Sequence, residues 1–160
     1  MMTDAHEAAK VRFFPPGVPL LTVAAGLALG RVWPLSLGLE AQTPSRYWLG
    51  GLIVAGAILG IGLPAVLLMR RSGQSPNPWK PSDHMLERGP FRYTRNPMYL
   101  QMVVACLGFA VILNNAWILV LTPVCGWALS RLAIAPEEAY LEQQFGDAYR
   151  DYKRRVRRWL

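Results

Sequence analysis

Two short stretches hold the residue types that could do chemistry. The first, Gly89-Pro90-Phe91-Arg92-Tyr93-Thr94-Arg95-Asn96-Pro97-Met98-Tyr99, closes a segment rich in proline and leads into an apolar run. Asn96-Pro97 predicts a helix start, because asparagine caps orphan amides and proline tolerates the first helical position. The amides exposed at such a start, with Arg92 and Arg95 beside them, would attract an anion. Equally, they could form a plain capped helix whose arginines snorkel to lipid phosphates. The second stretch opens with Pro136-Glu137-Glu138. Acidic residues in a first helical turn often do no more than complement the helix dipole. Beyond them Leu141, Phe145, Tyr149, Tyr152, Val156 and Trp159 recur every three or four residues among Arg150, Lys153, Arg154, Arg157 and Arg158. This predicts an amphipathic helix on a membrane surface, bent at Gly146 and able to fold beneath the first stretch and close a pocket.

Other chemistries find little support. Cys106 and Cys125 lie in apolar runs without C-x-x-C spacing, and His6 and His84 lie far apart, so no metal site is expected. Gly60-Ile-Gly62 falls inside an apolar run, not between a strand and a helix, so it is not a nucleotide loop.

The elements that must position these stretches are membrane helices. The chain is 52% hydrophobic and only 17% charged, against about 25% charged in soluble domains. A span needs about 20 apolar residues. Four runs come close: 17–33, extending toward Leu35–Leu39; 47–69; 97–113; and 116–134. Asn114-Asn115 separates the last two into a tight hairpin with a polar tip. The first run reads as an anchor rather than a cleaved signal, since it is long and lacks a small-x-small cleavage site. Gly26-x-x-x-Gly30 and Gly56-x-x-x-Gly60 suggest that the first two helices pack together through small residues.

The expected fold is all-α: an integral membrane bundle of about four transmembrane helices in one domain, 1–160. Residues 1–69 supply two helices, 70–96 a cytoplasmic loop, 97–134 the hairpin and 135–160 a cytoplasmic amphipathic tail. Basic residues set the orientation. With the amino terminus inside, Lys10, Arg12, Lys80 and the basic residues of loop and tail all lie on the cytoplasmic side. Of 17 Lys and Arg, only Arg31 and Arg46 fall outside. Both termini are therefore expected to be cytoplasmic. The net charge of +7 reflects orientation and anionic membrane lipid rather than nucleic acid.

At its two polar stretches the chain resembles the isoprenylcysteine carboxyl methyltransferase family and its phospholipid methyltransferase relatives. That family's pattern is roughly Gly-Pro-Tyr-Arg-Tyr-x-Arg-His-Pro-x-Tyr-x-Gly. After a helical hairpin come Glu-Glu-x-x-Leu-x-x-x-Phe-Gly-x-x-Tyr-x-x-Tyr and a basic, Arg-Trp ending. Gly89–Gln101 matches the first part. Glu137-Glu138, Leu141, Phe145-Gly146, Tyr149, Tyr152 and Arg155-Val156-Arg157-Arg158-Trp159-Leu160 match the second, so the resemblance covers 84–160. Three positions depart from it. Asn96 stands for histidine and cannot titrate near neutral pH. Gln101 stands for glycine, and either keeps the backbone farther from a cofactor or touches the acceptor. Arg157 stands for proline.

The resemblance implies an S-adenosylmethionine-dependent methyltransferase acting on a lipophilic acceptor such as a prenylcysteine-type carboxylate, with no metal. Carried over position by position, Asp83, His84, Met85 and Leu86 would line the nucleoside, and Phe91 would pack against it. Asn96, Pro97, Met98 and Tyr99 would sit at the helix start, and Glu137 with Glu138 would bind the cofactor's polar groups. Arg131 would meet the acceptor, or else simply end the fourth helix. No general acid–base residue is implied. Alternative acceptors are a phospholipid amine or a thiol, and a rival of another class is a non-catalytic four-helix membrane scaffold.

Overall fold

A computed structural model describes residues 14–39, 44–77 and 84–160; Lys10, Arg12, Lys80 and Asp83 lie outside them. The described chain is a helical membrane bundle. Helix α1 spans Gly17–Val32, α2 Ser45–Arg71, α3 Pro97–Ile112, α4 Ala116–Phe145 and α5 Asp147–Arg155. Two of these, α2 with 27 residues and α4 with 30, are long and apolar enough to cross a membrane; α1 and α3 are shorter apolar helices. The outer face of α2 is apolar and uncovered, with Trp48 at 78% and Leu52 at 71% exposure. Lipid is the natural cover for such a surface.

The packing differs from the expected pairing of the first two helices. Helix α1 lies on α4, where Gly26 abuts Ile118 and Gly30 abuts Asn115. The buried Asn115 amide holds this contact by donating to the Gly26 carbonyl at 3.0 Å. Helix α2 lies on α3 through Gly50 and Gly108. A Cβ on Gly50 would stand 2.7 Å from the Gly108 carbonyl oxygen, and one on Gly108 2.9 Å from that of Gly50. A Cβ on Gly56 or Gly60, by contrast, would meet nothing within 4 Å beyond its own helix among the described residues. Spacing alone does not say which glycine face meets a neighbour. Gly108→Ala is therefore expected to force α2 and α3 apart and cost about 1–3 kcal/mol in thermal unfolding, while Gly60→Ala leaves stability unchanged.

Both long helices carry a π-helical segment, Gly56–Gly62 and Ser130–Ile134, each followed two residues later by a proline, Pro64 and Pro136. A proline inside an α-helix removes one hydrogen bond and clashes with the carbonyl four residues back. The wider π turn relieves both conflicts and lets the helix run on. Hence Pro136-Glu137-Glu138 does not open a new helix: α4 continues unbroken to Phe145, and neither glutamate complements a free amino-terminal dipole. Arg131 likewise sits within α4, exposed, and does not end it. Helix α1 stops at Val32, and 34–39 is non-helical rather than a continuation. It is tied down by the hairpin tip, where Asn114 Oδ1 accepts from the Leu37 amide at 3.0 Å and Trp117 Nε1 donates to the Trp33 carbonyl at 2.7 Å.

Candidate active site

The course of the tail builds the site. Gly146 has φ +55°, a left-handed conformation that favours glycine, and it turns α5 back beneath the segment before α3. Tyr149, Tyr152 and Val156 are buried together, with Met85, Leu141 and Phe145 packed around them. The apolar face of α5 is thus covered by protein rather than by a membrane surface, because the loop supplies an apolar partner. Burial pushes both phenols above their usual range, so they remain neutral donors. Tyr152 donates its hydroxyl proton to the Phe91 carbonyl at 2.6 Å.

Past α5 the chain is sewn to the start of α3. The Arg95 amide donates to the Arg157 carbonyl at 3.0 Å. The Arg158 carbonyl accepts from Thr94 Oγ1 at 3.1 Å and from Asn96 Nδ2 at 3.0 Å. Asn96 does occupy the position before α3, yet its side chain makes no cap; it reaches the tail instead. Trp159 Nε1 donates to Ser130 Oγ at 3.2 Å, anchoring the end of the chain on α4.

A charge cluster lies under this seam. Glu138 is 6% exposed. Its Oε1 is 2.9 Å from an Arg95 terminal nitrogen, and its Oε2 is 2.5 Å from one of Arg158. Arg95 therefore faces a carboxylate rather than serving as free charge at the helix start, while Arg92 points to solvent. Only part of the Arg95 guanidinium is used. Its Nε and Nη1 are buried and have no hydrogen-bond partner among the described residues. Such groups cost about 1–3 kcal/mol each unless a ligand or water supplies an acceptor.

Glu137 lies one position before the cluster, beyond the apolar part of α4. Its Oε2 accepts from the Tyr99 hydroxyl at 2.9 Å. Burial holds its carboxyl above the ordinary range, the Tyr99 hydrogen bond opposes this, and the Glu138 charge adds to it.

Two adjoining cavities open here. The larger, of about 480 Å³, is lined by Phe91, Asn96, Pro97, Met98, Tyr99 and Glu137, among others. Its size suits a small organic ligand, for which about 300–1,000 Å³ is usual. The smaller, of about 70 Å³, is lined by His84, Met85 and Leu86, again with Phe91, Asn96 and Glu137, and by Glu138. Of the eleven residues named from sequence as cofactor contacts, Asp83 lies outside the described residues and the other ten fall on one cavity or the other. Arg131 lines neither. Gln101 also lies off both, its side chain set against Gly62 of α2 in the space a Cβ would take.

Several residues of the site escaped the sequence analysis. Met69, at the end of α2, lines both cavities, as does Arg95, which the sequence offered only as charge beside a helix start. Gln74 hydrogen-bonds the His84 carbonyl and so ties the loop around His84 to the end of α2. The Arg158–Glu138 pair spans 20 residues, and no local spacing rule reaches that far. Leu141, Tyr149 and Tyr152, which line the smaller cavity, were legible only as an apolar face.

Comparison with known proteins bears on what this arrangement is for. A profile described as phospholipid methyltransferase matches residues 46–148, which takes in α2 through the start of α5. The chain belongs to the phospholipid methyltransferase family. An uncharacterized protein of Haemophilus influenzae is 43% identical over 65 residues, 39% of this chain and 100% of that protein. A protein-S-isoprenylcysteine O-methyltransferase of Schizosaccharomyces pombe is 35% identical over 75 residues, 46% of this chain and 32% of the relative. Its counterpart from Dictyostelium discoideum is 36% identical over 78 residues, 48% and 33% respectively. The chain spans about a third of the length of these two enzymes. No solved structure matches it. Membership of a membrane methyltransferase family implies a methyl donor, and the resemblance first drawn from 84–160 extends through α2.

Proposed function

We propose that this phospholipid methyltransferase family member transfers a methyl group from S-adenosylmethionine to a lipophilic acceptor bearing a carboxylate, of the prenylcysteine type. One observation carries the choice of acceptor. The wall common to both cavities holds Arg95, whose buried Nε and Nη1 lack acceptors. An anionic oxygen would satisfy them, and in a prenylcysteine that oxygen belongs to the very group that accepts the methyl. A passive scaffold has no use for two desolvated donors on a cavity-lining residue.

The residues present suit the cofactor. Met85, Leu86 and Phe91 offer apolar surface for the adenine, while Glu137 offers a carboxylate to the sulfonium and amino groups and Glu138, held by Arg95 and Arg158, lines the smaller cavity beside it. When bound, the cofactor would supply a methyl already activated as a sulfonium, so transfer to a carboxylate oxygen needs neither general acid nor base. The protein's part is alignment and exclusion of water. Arg95 holds the acceptor, Tyr99 fixes the Glu137 carboxylate and the tail closes the chamber. Such positioning contributes about 7–11 kcal/mol in well-oriented cases. In this account the spans end by residue 134, the loop 70–96 and tail 135–160 are cytoplasmic and both termini face the cytosol. The donor then enters from water and the acceptor sideways from lipid.

A pH dependence follows from Glu137. Its pKa is raised in the folded protein, so this group stabilises the fold most at low pH, and that contribution is lost as pH rises through the raised value. A bound sulfonium favours the carboxylate form. Affinity for S-adenosylmethionine is therefore expected to rise with pH between the ordinary carboxylate range and the raised value. Affinity for uncharged-sulfur S-adenosylhomocysteine should rise less. Calorimetric titration at several pH values checks this, and Glu137→Gln should flatten the difference.

The function is tested with tritiated S-adenosylmethionine offered with farnesylcysteine, phosphatidylethanolamine or an alkyl thiol. Labelled ester on farnesylcysteine is expected. Cofactor binding with label only on the amine or the thiol would overturn the acceptor assignment, and absence of cofactor binding would favour the scaffold.

A further inference from the structure

Along α5 every basic residue already has a carboxylate. Arg150 pairs with Asp147 and Lys153 with Glu142, both at 2.8 Å, and Arg154 pairs with Asp151. Arg155 reaches Glu87 of the loop at 2.8 Å. The apolar face of α5 is buried as well, so neither half of a membrane-binding amphipathic helix is left over. The uncommitted charge lies elsewhere. Arg70 and Arg71 end α2, while Arg88 precedes and Arg92 closes the single helical turn Gly89–Arg92. That turn packs on the end of α2, where a Cβ on Gly89 would stand 3.4 Å from Leu68 Cδ2. The four arginines therefore share one rim of the bundle. All four are exposed, and none has an acid partner among the described residues. Tyr93, which follows them in the chain, is 70% exposed.

This rim belongs to the end of a helix long and apolar enough to cross a membrane, so the surface that meets it is the leaflet at that end. A guanidinium matches the oxygens of a phosphate with two parallel hydrogen bonds. A phenol, apolar along its ring and polar at its tip, suits the headgroup level. We propose that Arg70, Arg71, Arg88 and Arg92 form a docking site for the phosphate of an anionic phospholipid, and that this rim, not the basic tail, couples the protein to the charge of its membrane. Phe91 lies within the same turn and lines both cavities. A headgroup that joins the turn to α2 thus also steadies a wall of the site. The inference goes beyond the proposed function and stands whichever acceptor is methylated.

The test places the full chain in phosphatidylcholine vesicles and adds spin-labelled phosphatidylglycerol or spin-labelled phosphatidylcholine, whose immobilised fractions report the lipid held at the protein. The wild type is expected to prefer phosphatidylglycerol by roughly fivefold, the worth of one cation near an anionic leaflet. Arg71→Gln, Arg88→Gln and Arg92→Gln together should abolish the preference, while Arg71→Lys, Arg88→Lys and Arg92→Lys together should keep most of it. Arg70, which also lines the larger cavity, is left intact. Arg150→Gln, Lys153→Gln and Arg154→Gln together remove the same charge from α5 and should leave the preference unchanged. Equal loss in both glutamine variants would mean that net charge alone draws the lipid, and loss in the α5 variant alone would return the role to the tail. Either result overturns the proposal, as does a wild type without preference. A measurement on the wild type needs no variant. Its preference should fade between about 0.01 and 1 M salt, as the screening length falls from about 30 to about 3 Å, and a preference that salt leaves intact would also overturn the proposal.

Discussion

Glu138→Gln is expected to lower stability by about 3–5 kcal/mol and to abolish methyl transfer, the largest effect of any single change in the tail. The side chains of Glu138 and Arg95 are only 8% and 9% exposed, so loss of the carboxylate strands a desolvated guanidinium. Arg158 suffers less, because its side chain is 40% exposed and can turn to water. The seam would loosen with the charge pair, since the Arg158 carbonyl is what Thr94 and Asn96 hold. Thermal unfolding in detergent measures the first effect and tritiated methyl transfer the second. A paired change sharpens the argument. Arg95→Met with Glu138→Leu removes both buried charges and should recover most of the lost stability, because breaking such a pair costs more than replacing it with apolar groups. It should recover no activity.

Arg95→Lys separates charge from geometry. Lysine keeps a positive group within reach of Glu138, so the fold should survive with little change in unfolding temperature. It cannot reproduce the planar fork, and the donors at Nε and Nη1 disappear. Loss of hydrogen bonds to a charged group costs about 1.5–3 kcal/mol, so kcat/KM on farnesylcysteine should fall by roughly 10–150-fold. A change in KM and kcat together is expected, since the same contact binds and aligns the acceptor. Equal activity of the lysine variant would mean that the two donors never meet the acceptor.

How much of this was legible in the sequence varies with the range of the interaction. The apolar runs and the break at Asn114-Asn115 fix three of the helices to within a few residues and the start of the fourth, because a span's length and composition are local properties; the fourth runs on past 134 to Phe145. The bend at Gly146 and the periodic face from Leu141 to Val156 were equally local. What covers that face was not, because burial against Met85 depends on a partner more than 50 positions away. Prolines misled at Pro136, where a π turn accommodates the ring inside a continuing helix. Glycine spacing misled at Gly56 and Gly60, which face open space, while the contacts fall at Gly26, Gly50 and Gly108. Within the site, short motifs picked out residues that share a cavity wall. The pairing of Glu138 with both Arg95 and Arg158, and the donors it leaves over, came only with the fold.

The account stands on one small molecule touching both the segment that leads into α3 and the returning tail. A photoreactive adenosyl analogue of the cofactor, bound to the full chain in nanodiscs and irradiated, addresses this directly by peptide mapping. Adducts are predicted in both 84–99 and 137–152, each suppressed by excess S-adenosylhomocysteine. Adducts confined to the opposite end of the bundle, at 34–39 or 114–117, or labelling that S-adenosylhomocysteine does not displace, would contradict it.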